Sequence, residues 1–321
     1  MPSGVHTARF ATMTTITQQP RATLPAGFVW LPVELFYRLA LPRVRLYATV
    51  DQRPEPVLLT SDSRKLVETP REDLPGNDRQ RLLVARQDLD PSDKNWLTAC
   101  RAFASDTKLP AVLRMLAIQT IYGAEFERCW RSKSTSRLVD CACETGPLIA
   151  RVVTRACVSA HELFANIAHD MSPACHAMNV AAYGMLLAEH LGVSSFAEKS
   201  QIATGALLHD LGKRSSAKPG DHHTTLGYIE LCRNDKLSRG GLMMIYQHHE
   251  WVNGAGEPVA ILGDEIHPWA KLLAVVNQFD SLTADDGGRR GLDPVDAIGT
   301  LAKRANKQFD LEVLRCWISI F

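Results

Sequence analysis

Imidazoles punctuate the second half of the chain. The stretch "ALLHDLGKRSS" (206–216) sets His209 beside Asp210, with Lys213 three residues on. His176 precedes it in "CHAMNVAAYGMLLAEHLG", and "DHHTTLGYIEL" and "YQHHEWVNGAGEP" come after it with His222, His223, His248 and His249. A set rich in imidazole with one carboxylate suits iron, manganese or zinc, and argues against calcium or magnesium alone. If "IATGALLHDLGK" is helical, His209 and Lys213 share a face with Asp210 adjacent, so an imidazole, a carboxylate and an ammonium converge. The competing reading is an exposed Asp210–Lys213 ion pair of small value, with Gly212 ending the helix. Adjacent helical residues point about 100° apart. His248 and His249 therefore suit two neighbouring ions better than one, and a binuclear centre is the expectation.

Helices must carry most of these groups. His176, Val180, Tyr183 and Leu187 recur at i, i+4, i+7 and i+11, which puts His176 on an inward apolar stripe. From Ser92 onward the pattern is helical, as in "PAVLRMLAIQTIYGAEFERCW" and "ETGPLIARVVTRACVSAHELFANIA". Before it, "FVWLPVELF", "RVRLYATV", "PVLLT" and "RLLVAR" are short β-type runs divided by Pro, Asp, Gly and Asn. The expected organisation is a disordered polar tail over 1–26, a small β-rich module over 27–91 and a helical domain over 92–321. Pro91 breaks the pattern at the second boundary and Ser92 caps the next helix.

At 321 residues and 45% hydrophobic content the chain can bury a substantial core. Its 36 Lys and Arg nearly cancel 35 Asp and Glu, so no global positive field draws it to a nucleic acid polymer or anionic lipid. No run of about 18 apolar residues occurs and the start lacks an apolar signal core, so the expectation is a cytoplasmic protein without membrane insertion. The eight cysteines read as reduced thiols. Cys129, Cys141, Cys143 and Cys157 lack the paired knuckles of a zinc site.

From about residue 155 to the C terminus the sequence resembles the HD-GYP family of HD-domain metal-dependent phosphohydrolases. The matching stretches, in order, are "HAMNVAAYGMLLAEHLG", "ALLHDLGK", "HTTLGYIEL", "HHEWVNGAGEP", "GDEIHPWAKLLAVVNQFDSLTA" and "FDLEVLRCWISIF". The resemblance implies a mainly α fold, an HD-GYP-type helical bundle behind the β-rich module. It implies a cyclic di-GMP phosphodiesterase that forms pGpG or GMP with water activated between two divalent transition-metal ions, iron first, manganese or zinc otherwise. Carried over by position, the metal ligands are His176, His209, Asp210, His223, His248, His249 and Asn277, with Asp210 bridging. Asp210 and Lys213 are the catalytic pair, and Lys213, Asn253, Gly254, Gly256 and Glu257 the substrate contacts. "HTTLG" fits the family's H-x-x-x-G, which favours His223 over His222. The implied partners are the cyclic dinucleotide and either a second copy of the chain or a signalling protein.

Three positions depart from the family pattern. Asn277 stands where the last metal-ligating aspartate belongs, leaving Asp280 one turn on either to substitute or to support the helix. Glu257 replaces the tyrosine of Gly-Tyr-Pro. Ser172 occupies the place of a glutamate found in three-metal members, which favours two metals. These departures keep open a rival reading, a weak or inactive module that senses the nucleotide or docks a protein. His190 lies roughly 21 Å beyond His176 along one helix, too far to share its metals. His169-Asp170 reads as a turn or cap, and His6, His161, His222 and His267 as ordinary core or surface histidines.

Overall fold

The computed structural model describes residues 27–38, 43–49, 56–68, 81–89, 94–155, 158–216, 222–286 and 288–321. The expected tail over 1–26, the Pro91–Ser92 boundary, His6 and Cys157 lie outside them. Four short strands, β1 (Phe28–Pro32), β2 (Leu46–Ala48), β3 (Val57–Thr60) and β4 (Arg81–Ala85), form one antiparallel sheet in the order β1-β4-β2-β3. Pro32 closes the edge strand β1, where its missing N–H costs the sheet little. The run "FVWLPVELF" does not continue as a strand. After Pro32 it turns into a short helix, α1 (Val33–Arg38), with Glu34 in the first turn, where helices favour acidic residues.

The remaining helices are α2 (Lys94–Ser105), α3 (Ala111–Arg131), α4 (Thr135–Arg155), α5 (Ala160–Asn166), α6 (Pro173–His190) and α7 (Phe196–Leu208). After them come α8 (His223–Leu231), α9 (Arg239–Gln247), α10 (Pro268–Thr283), α11 (Pro294–Ala302) and α12 (Leu311–Ile320). The fold is thus mainly α with a small N-terminal sheet. Serines written into the sequence start several of these helices. Ser159 accepts from Glu162 N (3.1 Å), Ser172 from Cys175 N (3.3 Å), Ser195 from Glu198 N (3.3 Å) and Ser238 from Gly241 N (3.2 Å). Every residue of α6 from Ala174 to Ala188 is buried, and much of α3 is too, so these two helices run through the interior.

The buried apolar side chains form a continuous core. It runs from Leu31, Leu46 and Val84 of the sheet through Trp96, Phe103 and Phe126 to Tyr183, Phe279 and Trp317 of the bundle. Among the described residues no helix is long and apolar enough to cross a membrane.

Candidate metal centre

Two helices end at one point. α7 stops at Leu208, with His209 as its C-cap, and α9 stops at Gln247, with His248 as its C-cap. The last carbonyls of a helix have no partner inside it, and here the imidazoles supply one. His209 Nδ1 lies 2.7 Å from Ala206 O, and His248 Nδ1 lies 3.0 Å from Ile245 O. Each ring therefore donates through Nδ1 and keeps the Nε2 lone pair for the centre. α7 does not run on through Lys213: of the two readings, the helix ends early, and a single 3-10 turn, Leu211–Arg214, comes after Asp210. Close packing is the cause. A Cβ at Gly212 would collide with the His223 carbonyl, so the glycine lets the first turn of α8 settle on this turn and deliver His223.

Asp210 lies between two sets of imidazoles. Its Oδ2 is 3.6 Å from His176 Nε2 and 3.4 Å from His209 Nε2. Its Oδ1 is 3.2 Å from His223 Nε2 and 3.8 Å from His248 Nε2. Two potential metal-holding groups result, His176–His209–Asp210 and His223–His248–His249, each with ligand atoms within 4.8 Å of one another. Lys213 Nζ donates to Asp210 Oδ2 at 2.5 Å from a half-exposed position.

The charges suit cation binding. Burial drives the His209 imidazole down to about 3, against the pull of Asp210. Burial likewise lowers His249 to about 4 and His248 well below the usual imidazole range. At His176 burial pulls the same way, but Asp280 outweighs it and the pKa ends raised. Burial would raise the Asp210 carboxyl, yet the neighbouring His209 and His223 rings and the Lys213 charge hold it well below the ordinary carboxylate range. His209 Nε2 and Asp210 Oδ1 are buried without a hydrogen-bond partner. Proteins seldom leave such atoms so, and a divalent cation on Asp210 would satisfy both. The donor set fits the metal that an HD domain implies.

α10 enters the site through Asp280. Its Oδ2 lies 2.7 Å from His176 Nδ1, so Asp280 orients a ring, a role distinct from the two considered for it, metal ligand and helix support. Asn277 sits partly buried one turn earlier on α10. His223 turns inward, whereas His222 faces Glu257 on the exposed rim, Nδ1 to Oε2 3.1 Å. The loop after His249 is pinned by a residue the sequence did not flag. Glu250 is buried and accepts from Val259 N (2.7 Å) and Ile261 N (3.2 Å). A Cβ at Gly256 would strike the Trp251 backbone, and Glu257 N donates to His249 O at 3.0 Å. Gly254 has a φ of +77°, and Asn253 spends its Oδ1 on Ala255 N (3.1 Å) within its own turn.

The other histidines lie elsewhere. His169 Nε2 contacts Phe164 O (2.7 Å), Asp170 caps Ser172 N (2.9 Å), and His190 Nδ1 bonds Leu186 O (2.8 Å). His267 accepts from Trp269 N (3.1 Å) at the start of α10, and His161 packs against Phe321.

Residues 223–313 match the HD domain family model. The 3'3'-cGAMP-specific phosphodiesterase 3 of Vibrio cholerae is 29% identical over 170 residues, 46% of this chain and 36% of that protein. The cyclic di-GMP phosphodiesterase PA4108 of Pseudomonas aeruginosa is 27% identical over 158 residues, 44% of this chain and 38% of that one. The chain thus spans little more than a third of the length of these relatives. Among solved structures, Bd1817, a HDG"Y"P protein from Bdellovibrio bacteriovorus, has the same fold. It aligns with a TM-score of 0.60 and 18% identity, over 91% of this chain and 99% of that one. The HD-GYP resemblance drawn from the motifs holds.

Proposed function

From an HD domain of the HD-GYP type we infer a metal-dependent phosphodiesterase that hydrolyses a cyclic dinucleotide, with cyclic di-GMP as substrate and pGpG or GMP as product. The observation that carries the reading is Asp210, whose two oxygens face separate groups of imidazoles. Two divalent ions, iron by preference, would be held by His176, His209 and Asp210 on one side and by His223, His248 and His249 on the other, with Asn277 as the neutral ligand to the pair. Such ions acidify water and neutralise phosphoryl charge.

The chain's own residues do the rest. The carbonyls of Ala206 and Ile245 hold His209 and His248 in one tautomer, and Asp280 does the same for His176. Lys213, half exposed beside Asp210, offers an ammonium to a phosphoryl oxygen of the substrate. The loop from Asn253 to Glu257, tied to His249 through the Glu257 amide, borders the nucleotide. On this reading the work is done in the cytoplasm.

A second reading, a nucleotide-sensing or protein-docking module without turnover, draws on Asn277 and on Glu257, a carboxylate at the rim beside His222. Product analysis with cyclic di-GMP and 3'3'-cGAMP under anaerobic, metal-replete conditions separates the two. Linear product from the parent chain and none from Asp210→Ala is expected. Tight nucleotide binding without product would select the sensing module.

A further inference from the structure

A chain of buried hydrogen bonds reaches His176 from α3, a helix that none of the sequence motifs touches. The Ala168 N–H donates to Gln119 Oε1 at 2.9 Å. The Gln119 amide nitrogen therefore faces the other way and donates to Asn179 Oδ1 at 2.5 Å. Asn179 Nδ2 in turn donates to Asp280 Oδ1 (2.9 Å) and to the Ala168 carbonyl (2.9 Å). Asp280 Oδ2 then accepts from His176 Nδ1 at 2.7 Å. The four residues are 7, 1, 0 and 4% exposed from Gln119 to His176, so water does not compete for these links.

The direction of the relay is determined at both ends. A backbone N–H only donates and a carboxylate only accepts, so each amide between them has a single satisfied orientation. The outcome is a proton on His176 Nδ1 and a lone pair on Nε2, which faces Asp210 at 3.6 Å. We propose that Gln119 and Asn179 are positioning residues of the metal centre, acting through Asp280 to hold His176 in its Nδ1–H tautomer. This rests on the metal-centre reading above. Thr120, the neighbour of Gln119, donates to the Trp30 carbonyl of β1 at 2.7 Å, so the N-terminal sheet seats the helix on which the relay begins.

Two nearly isosteric substitutions test it in the full-length chain. Gln119→Glu replaces the donor facing Asn179 with an oxygen, and Asn179→Asp does the same toward Asp280. Size is retained and one donor is removed in each. The metal-free proteins are compared by 15N NMR of the imidazoles, then titrated with Mn2+. We expect a single Nδ1–H tautomer for His176 in the parent and a mixture in both variants. Mn2+ binding should weaken about tenfold in Gln119→Glu and up to about a hundredfold in Asn179→Asp, the range seen when outer partners of metal ligands are changed.

Unchanged tautomer and affinity in the variants would overturn the proposal. So would weakened affinity with the tautomer intact, which would mark a merely structural role. If Asn179→Asp does not fold, Gln119→Glu decides. The parent spectrum alone refutes the relay if it shows the neutral His176 ring protonated at Nε2. A parent that takes up no Mn2+ would instead defeat the metal-centre reading, while the tautomer comparison still decides whether the relay controls His176.

Discussion

At His209 and His248 the same device recurs, with a helix's last carbonyls occupying Nδ1 and the Nε2 lone pair left for the centre. Neutrality of these rings has a cost in acid. An unfolded histidine titrates near pH 6.5, whereas the folded values of His209, His248 and His249 all lie lower. Between about pH 6.5 and 4 the unfolded chain thus binds protons that the native one does not, and stability falls as pH falls. His176, raised instead, contributes in the opposite sense: its stabilisation is present below the unfolded value and is lost as pH rises through the folded one. Three rings against one set the sign. Metal-free protein should therefore unfold at lower urea at pH 5 than at pH 7, by on the order of 2 kcal/mol per lowered ring. His209→Gln should flatten that dependence. A second outcome belongs to α10. Asn277→Asp adds a carboxylate where the HD-GYP pattern it resembles has a metal-ligating aspartate and, on the proposed function, should tighten Mn2+ binding roughly tenfold, about 1.4 kcal/mol, as read by calorimetry. The imidazoles and Asp210 were legible in sequence because their residue types announce the chemistry. The bond from Asp280 to His176 was not, because it joins residues 104 apart and only packing brings them together.

Helices were legible where apolar spacing is sustained, as along the His176–Leu187 stripe of α6, whereas its cap at Ser172 and that of α7 at Ser195 were not read from the sequence. Their ends were less so. α7 stops at Leu208 short of Lys213, because the turn beyond Asp210 must fit beneath the α8 backbone and Gly212 allows that approach. In the same way Pro32 divides a run that reads as strand throughout. Glu250 shows how a loop becomes a fixed element. Its carboxylate pairs two amides of the segment beyond the histidine pair. Glu250→Ala would leave both amides without that acceptor and should cost about 1–3 kcal/mol. Faster hydrogen exchange at Val259 and Ile261, with the α3 amides unchanged, is the accompanying measurement.

The core joins the N-terminal sheet to the bundle, so the chain should unfold as one cooperative unit despite its two kinds of secondary structure. Leu31→Ala, at a fully buried position of β1, is expected to cost about 2–5 kcal/mol. The loss should appear equally whether unfolding is followed near Trp30 or near Trp317; two separated transitions would contradict the shared core. Continuity of this kind is invisible in sequence, since β and helical patterns differ in period and neither shows what it packs against. The meeting of the α7 and α9 C-termini at Asp210 carries a consequence for the order of events. Aligned peptide dipoles leave about half a negative charge at each such end. Together with the carboxylate, and with Lys213 the one cation beside it among the described residues, they make the metal-free site unfavourable to phosphate. On the proposed function, ions must therefore be seated before a cyclic dinucleotide can approach, and a chelator should abolish nucleotide affinity before it disturbs the fold.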